Sequence, residues 1–112
     1  MLARVNRVKT PDEFRRILRR GRRVGGPLLV AHTLHTDGEP VRFGFVVGRG
    51  VGNAVVRNRV KRRLRAIAFG FLPALPAGTS VVVRALPPAA SATFPDLSAG
   101  LREALDRAVV PE

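Results

Sequence analysis

The sequence predicts an α+β fold, one compact domain with its elements in the order α-β-β-β-α-β-α. Three observations lead there. Three segments repeat apolar residues at helical spacing behind a capping residue. Four shorter runs are rich in β-branched or aromatic residues and are bounded by Gly, Pro or Asp-Gly. The 112 residues, 46% of them hydrophobic, suit a single modest core. No repeat or composition shift divides the chain, so residues 1–112 are read as one domain.

Residues 1–9 read as an extended basic arm, with Arg4, Arg7 and Lys9 around Val5 and Val8. A first helix spans residues 10–20. Thr10 is its N-cap, Pro11 its first position, and Glu13 completes a capping box. Phe14, Ile17 and Leu18 form its apolar face, and Gly21 follows as a C-cap. Arg22-Arg23-Val24-Gly25-Gly26 contains a short edge strand before a turn. Leu28 to His35 is a second strand. Thr36-Asp37-Gly38-Glu39-Pro40 has the turn chemistry of a hairpin loop. In the return strand, Val41 to Gly48, the residues Val41, Phe43, Phe45 and Val47 alternate onto the core face. The opposite face, with Gly44 and Gly48, has room for a ligand backbone.

Next comes the densest stretch of charge. Six of the nine residues Arg57 to Arg65 are cationic. At about 100° per residue, Val56, Val60, Leu64, Ile67 and Phe71 fall in an arc of roughly 80°. That is a helix with one narrow seam for docking. Asn53 is its N-cap, and breakers at Gly70 and Pro73 end it near residues 69–72. Thr79 to Ala85 reads as a buried strand. Leu86 to Ala92 is a loop. Thr93 caps a last helix whose stripe is Leu97, Leu101, Leu105 and Ala108.

The net charge is +12, and no acid lies between Glu39 and Asp96 to offset the basic helix. Like charges at i, i+4 cost a few tenths of a kcal/mol per pair. A polyanion that covers the face removes that cost, and counterion release from nucleic acid drives such binding. Charge alone also fits a ribosomal-type structural RNA-binding protein or a DNA-binding module. With no cysteine, disulfides and thiolate metal sites are excluded. No apolar run is long enough to span a membrane. The expectation is a soluble, cytoplasmic chain with no membrane and no small-molecule cofactor. Only phenylalanine represents the aromatics, which favours recognition by charge and shape over base stacking.

Chemistry by the polypeptide itself is not indicated. The eight acids are scattered, whereas metal-dependent phosphodiester cleavage needs clustered carboxylates. His32 and His35, three apart on a strand, point to opposite faces. No serine has an evident base. No catalytic or metal-ligating residue is assigned.

Gly52-Asn53-Ala54-Val55 followed by Arg57-Asn58-Arg59-Val60-Lys61-Arg62-Arg63-Leu64-Arg65 resembles the signature of the bacterial ribonuclease P protein subunit. Length and element order resemble that family over nearly the whole chain. The resemblance implies a ribosomal-protein-S5-domain-2-like fold with a left-handed βαβ crossover. It implies a non-catalytic subunit of an RNA-based endoribonuclease that removes the 5′ leader of precursor tRNA. The implied partners are the catalytic RNA of ribonuclease P and that leader, with Mg2+ held mainly by RNA. Arg49, Asn53, Arg57, Asn58, Arg59, Lys61, Arg62, Arg63 and Arg65 would contact RNA. Lys9, Phe14, Leu18, His32 and Arg42 would line the leader cleft. The positions of Leu18 and His32 are often aromatic in the family, and Gly50 stands where a cation is usual.

Overall fold

The computed structural model describes residues 2–108. Helix α1 (Pro11–Arg20) is followed by strands β1 (Arg22–Gly25), β2 (Leu29–His35) and β3 (Arg42–Val46). Then come helix α2 (Ala54–Phe71), strand β4 (Thr79–Ala85) and helix α3 (Phe94–Ala108). The element order is the expected α-β-β-β-α-β-α, with short 3-10 turns at Arg4–Asn6, Leu72–Ala74 and Pro87–Ala90.

The strands form one mixed sheet in the order β1-β2-β4-β3. β1 pairs with β2 and β2 with β4, both antiparallel, while β3 runs parallel to β4. The expected β2–β3 hairpin is therefore wrong: β4 lies between them. The reason is burial. Val81, Val82 and Val83 have no exposed surface, and a strand apolar on both faces belongs at the centre of a sheet. The Asp37-Gly38 loop instead spans the end of β4, where the Thr36 amide donates to the Gly78 carbonyl at 2.8 Å.

The sheet separates two cores. On one face α2 and α3 bury Val60, Leu64, Leu97, Leu101 and Leu105 against Leu29, Ala31, Phe43, Val81 and Val83. On the other, Ile17 of α1 packs on Val82 and Val8, with Phe14, Leu18 and Leu34 at the rim. The caps form as read. The Thr10 hydroxyl accepts from the Glu13 amide at 3.2 Å, and the Thr93 hydroxyl accepts from the Asp96 amide at 3.1 Å.

Three local expectations change. The N-terminal segment is not an extended arm: it turns at Arg4–Asn6 and docks on β3. Leu2 and Val8 are buried, the Val8 amide donates to the Phe43 carbonyl at 2.9 Å, and Asn6 Nδ2 donates to the Val41 carbonyl at 2.8 Å. The segment covers part of the outer edge of β3, which would otherwise leave ladder groups unpaired. Second, Gly44 offers no space to a ligand: a Cβ there would lie 2.6 Å from the Phe14 ring. Third, Gly21 ends α1 in an extended conformation, φ −70° and ψ 155°, so left-handed freedom is not its role. Its role is close approach. A Cβ would strike the Ile17 carbonyl oxygen and lie 2.9 Å from that of Thr33.

Gly21→Ala should accordingly push α1 off β2 and cost about 1–3 kcal/mol, the usual range for overpacking. A urea denaturation midpoint that does not move would contradict this.

Candidate nucleic-acid interface

The interface is built outward from the seam of α2. Val60 and Leu64 are fully buried and Ile67 nearly so, while Val56 and Phe71 pack at the rim. This contact fixes the rotation of the helix and hence where each cation points. Asn53 opens the helix, its Oδ1 accepting from the Val56 amide at 3.0 Å. Its NH2 group makes no hydrogen bond within the described residues and is available to donate to a ligand. The first turn contains no acid, so Arg57 and Arg59 add to the positive end of the helix dipole.

The cations divide into two sets. Asn58, Arg62 and Arg65 are exposed, and Arg57 and Lys61 are half-buried. Asn58, Lys61, Arg62 and Arg65, with Ala66, rim an open hollow of about 450 Å³. Arg59 and Arg63 turn inward instead. Arg59 Nη2 donates to the Ala90 carbonyl at 2.9 Å and Arg63 Nη1 to that of Ala92 at 3.2 Å. They brace α2 against the turn that leads into α3. Reading them as fully free RNA contacts needs that correction. Among the described residues no carboxylate pairs with any cation of α2. Arg49 is exposed in the loop before the helix.

The five residues assigned to a leader cleft do not converge. Phe14 does line a hollow of about 170 Å³, where Arg7, Gly44, Phe45, Lys61 and Arg65 join it. The hollow thus links α1 and the edge of β3 to the basic helix. The sequence places Arg7 in the basic arm and Phe45 on the core face, not here, because the docking of the N-terminal segment is what brings them to Phe14. Lys9 is exposed and does not line it. Leu18 packs with Ile17 and Val82. Arg42 donates to Glu13 Oε2 at 2.6 Å, with side chains only 14% and 24% exposed, so it is a structural partner of α1 and not a free cleft cation.

His32 is also elsewhere, on the α1 face of the sheet and 4% exposed. Neither ring nitrogen has a hydrogen-bond partner. Arg23 stands opposite it on β1, and on the other side Val82 is its partner on β4 with Arg84 two residues further on. Burial, then Arg84, then Arg23 hold its pKa below the ordinary 6.5. The ring is therefore neutral at pH 7. His35 points away, as expected from their spacing, and meets Asp37 at 2.8 Å.

A helix docked by one face on an α+β sheet, cationic elsewhere and unpaired with acids, defines a protein built to meet a polyanion. Comparison with known proteins narrows this. The ribonuclease P family model matches residues 2–109, and the chain belongs to that family. It is 57% identical to the ribonuclease P protein component of Beutenbergia cavernae, over 87% of this chain and 82% of that one. It is 47% identical to that of a Nocardioides species, over 96% and 94%. The ribonuclease P protein of Staphylococcus aureus superposes with a TM-score of 0.83 at 29% identity, covering 94% of this chain and 96% of that one. The Thermotoga maritima protein shares the fold, with a TM-score of 0.81 at 24% identity, over 95% and 98%.

If Arg59 and Arg63 are braces, Arg59→Ala and Arg63→Ala should each lower stability by about 0.5–1.5 kcal/mol. Arg62→Ala should stay within about 0.5 kcal/mol of the parent. Urea titrations that rank Arg62 with or above the other two would refute the division.

His32 gives a pH prediction. Its folded pKa is depressed below 6.5, so below that value the unfolded chain binds a proton that the folded chain rejects. Stability contributed by neutral His32 is fully present above the ordinary value and is lost as pH falls toward the folded one. A denaturation series over about pH 5–8 in chloride should show this slope, and His32→Phe should remove its share. An identical slope in the variant would show that His32 is not the group responsible.

Proposed function

We propose that this chain assists an RNA catalyst: it binds the catalytic RNA of ribonuclease P through α2 and guides the 5′ leader of precursor tRNA past Phe14. The assisted reaction is endonucleolytic removal of the leader, which yields the mature 5′ end. The observation that carries this reading is the cationic face of α2, held rigid by its seam and left without a carboxylate partner among the described residues. Flexible basic tails gain charge without such a scaffold. Here Arg57, Asn58, Lys61, Arg62 and Arg65 are presented at fixed spacing, which suits a folded RNA of defined shape. Arg49 and the NH2 group of Asn53 extend the face at the helix N-terminus.

The hollow between Phe14, Lys61 and Arg65 supports the second contact. Phe14 offers the edge of an apolar ring, and the two cations neutralise phosphate. Continuity between hollow and helix lets one protein hold substrate strand and catalytic RNA together. By this reading the polypeptide contributes affinity and relief of phosphate repulsion, not bond breaking. No group of three or more His, Asp or Glu side chains able to hold a metal lies among the described residues. Mg2+ would be held mainly by the RNA and would supply activation of the attacking water. No helix among the described residues is long and apolar enough to cross a membrane, and a substrate of precursor tRNA would place the complex in the cytoplasm.

Reconstitution tests the proposal. The catalytic RNA at low magnesium should cleave precursor tRNA faster with the protein than without it, and the protein alone should not cleave. Cleavage by the protein alone, or no effect of adding it, would overturn the assignment. In filter binding to the catalytic RNA, Arg57→Ala and Arg62→Ala should each reduce the salt slope by about 1. Unchanged slopes would remove α2 from the contact.

A further inference from the structure

Arginine supplies nearly all of the positive charge. Of the 20 Lys and Arg residues, Lys9 and Lys61 alone are lysine. The two differ in setting. Lys9 is exposed and precedes a helix whose first turn carries Asp12 and Glu13. Lys61 stands in the middle of α2 and is half-buried. Arg57 and Arg65, four residues to either side, and Asn58, three before, start about 5–6 Å from it. Arg62 follows it in sequence. The Lys61 amine pairs with no carboxylate among the described residues. It also makes none of the side-chain hydrogen bonds of α2, which belong to Asn53, Arg59 and Arg63.

Lys61 is also a joint between two hollows. It lines the open one of about 450 Å³ with Asn58, Arg62, Arg65 and Ala66. It lines the one of about 170 Å³ beside Phe14 as well. Arg65 is the other residue common to both. Of that pair only Lys61 ends in a primary amine, the group that acylation targets, whereas a guanidinium stays protonated. The larger hollow has no acid in its wall, and the short side chain of Ala66 leaves it open. A wall of one sign of charge concentrates small counter-ions. The forks of Arg62 and Arg65 match the oxygens of a phosphoryl group.

We propose that Lys61 is a regulatory acylation site, and that its donor is a small acyl phosphate whose phosphoryl group docks on Arg62 and Arg65. The regulatory consequence rests on the reading of α2 as the RNA contact. In the reaction the Lys61 ammonium first gives one proton to solvent, and its nitrogen then attacks the acyl carbon. The N–C bond forms as the C–O bond to phosphate breaks. The leaving oxygen keeps the electron pair and takes the surplus proton from nitrogen, and inorganic phosphate departs. Nothing is oxidised or reduced. The product is a neutral amide, so the charge is lost. That removes one cation from the stretch shared by the two hollows, and contact with the catalytic RNA weakens. Bound RNA covers the same amine, so acylation and RNA binding exclude one another.

The test treats the full chain with acetyl phosphate and, separately, with N-acetoxysuccinimide, an uncharged acyl donor. Peptide mass spectrometry then gives the rate at each lysine. With acetyl phosphate at low ionic strength Lys61 should react about tenfold faster than Lys9, or more. The preference should fall toward parity in about 1 M chloride, where the screening length is about 3 Å. The uncharged donor should not reproduce it. Arg62→Gln/Arg65→Gln should slow acetyl phosphate at Lys61 without slowing the uncharged donor there. Equal rates at the two lysines with acetyl phosphate, or the same preference with the uncharged donor, overturn the site. For regulation, the catalytic RNA should protect Lys61 from the uncharged donor. The chain carrying acetyl-lysine at position 61 should bind that RNA with a salt slope reduced by about 1. In Lys61→Arg, which offers no amine, acetyl phosphate treatment should no longer weaken binding. An acetylated chain that binds as the parent does overturns the regulatory role alone. If the parent chain itself fails to bind the catalytic RNA, the functional reading and the regulatory role fail together, whereas the mapping decides the acylation site without RNA.

Discussion

Burial of the α2 seam is the constraint on which the rest depends. Val60, Leu64 and Ile67 are each worth about 1.5–3 kcal/mol when taken out of water. Opposing them are like-charge neighbours such as Arg57 with Lys61, Lys61 with Arg65 and Arg59 with Arg63, at about 0.2–0.5 kcal/mol a pair. The seam wins by a wide margin. The chain can therefore carry a self-repelling surface in a fixed shape, with no acid among the described residues paired to it. The helix is held by its apolar seam and by Arg59 and Arg63 at one edge of it, and its outer charged face is left for a ligand.

The arginines of the signature are not equivalent. Arg57 flanks the outer face, whereas Arg59 reaches across to the Ala90 carbonyl. Arg63, one turn later, does the same to Ala92. These two bonds tie α2 to the end of the Pro87–Ala90 turn and to the residue before Thr93. A motif that reads as uniform positive charge thus has two physical jobs: bracing α2 against the segment that leads into α3, and presenting charge to solvent. Each guanidinium keeps further N–H groups, so bracing does not bar Arg59 from an RNA phosphate as well.

Much of the fold was legible because its signals are local. Thr10 with Glu13 and Thr93 with Asp96 announce helix starts through side-chain hydrogen bonds over three residues. The Val56-to-Phe71 seam and the Val81–Val83 run announce burial. The strand order was not legible from the Asp37-Gly38 turn, which is a local signal for a pairing decided by distant burial on β4. The same limit governs the candidate site. The outer face of α2 follows from helical periodicity alone. The N-terminal segment read as an extended basic arm because its anchoring groups, the Phe43 and Val41 carbonyls, are some 35 residues away in sequence. Arg42 seemed a cleft cation because only packing brings Glu13 to it. Arg23 and Arg84 were invisible as neighbours of His32 until the register across β1, β2 and β4 was known.

The placement of acids completes the physical picture. Asp12 and Glu13 already have partners on or under α1, and Asp37 meets His35. α3 packs directly against α2 and carries Asp96, Glu103 and Asp106, so it had the means to neutralise the basic helix. It does not. Where the two meet near the end of α2, α3 offers Arg102, whose guanidinium lies 5.3 Å from the centroid of the Phe71 ring. That contact binds a cation through an aromatic face and leaves the positive field of α2 intact. An ion pair in its place would have stabilised the isolated protein and weakened its pull on a polyanion. The free protein thus retains electrostatic strain that an RNA surface relieves.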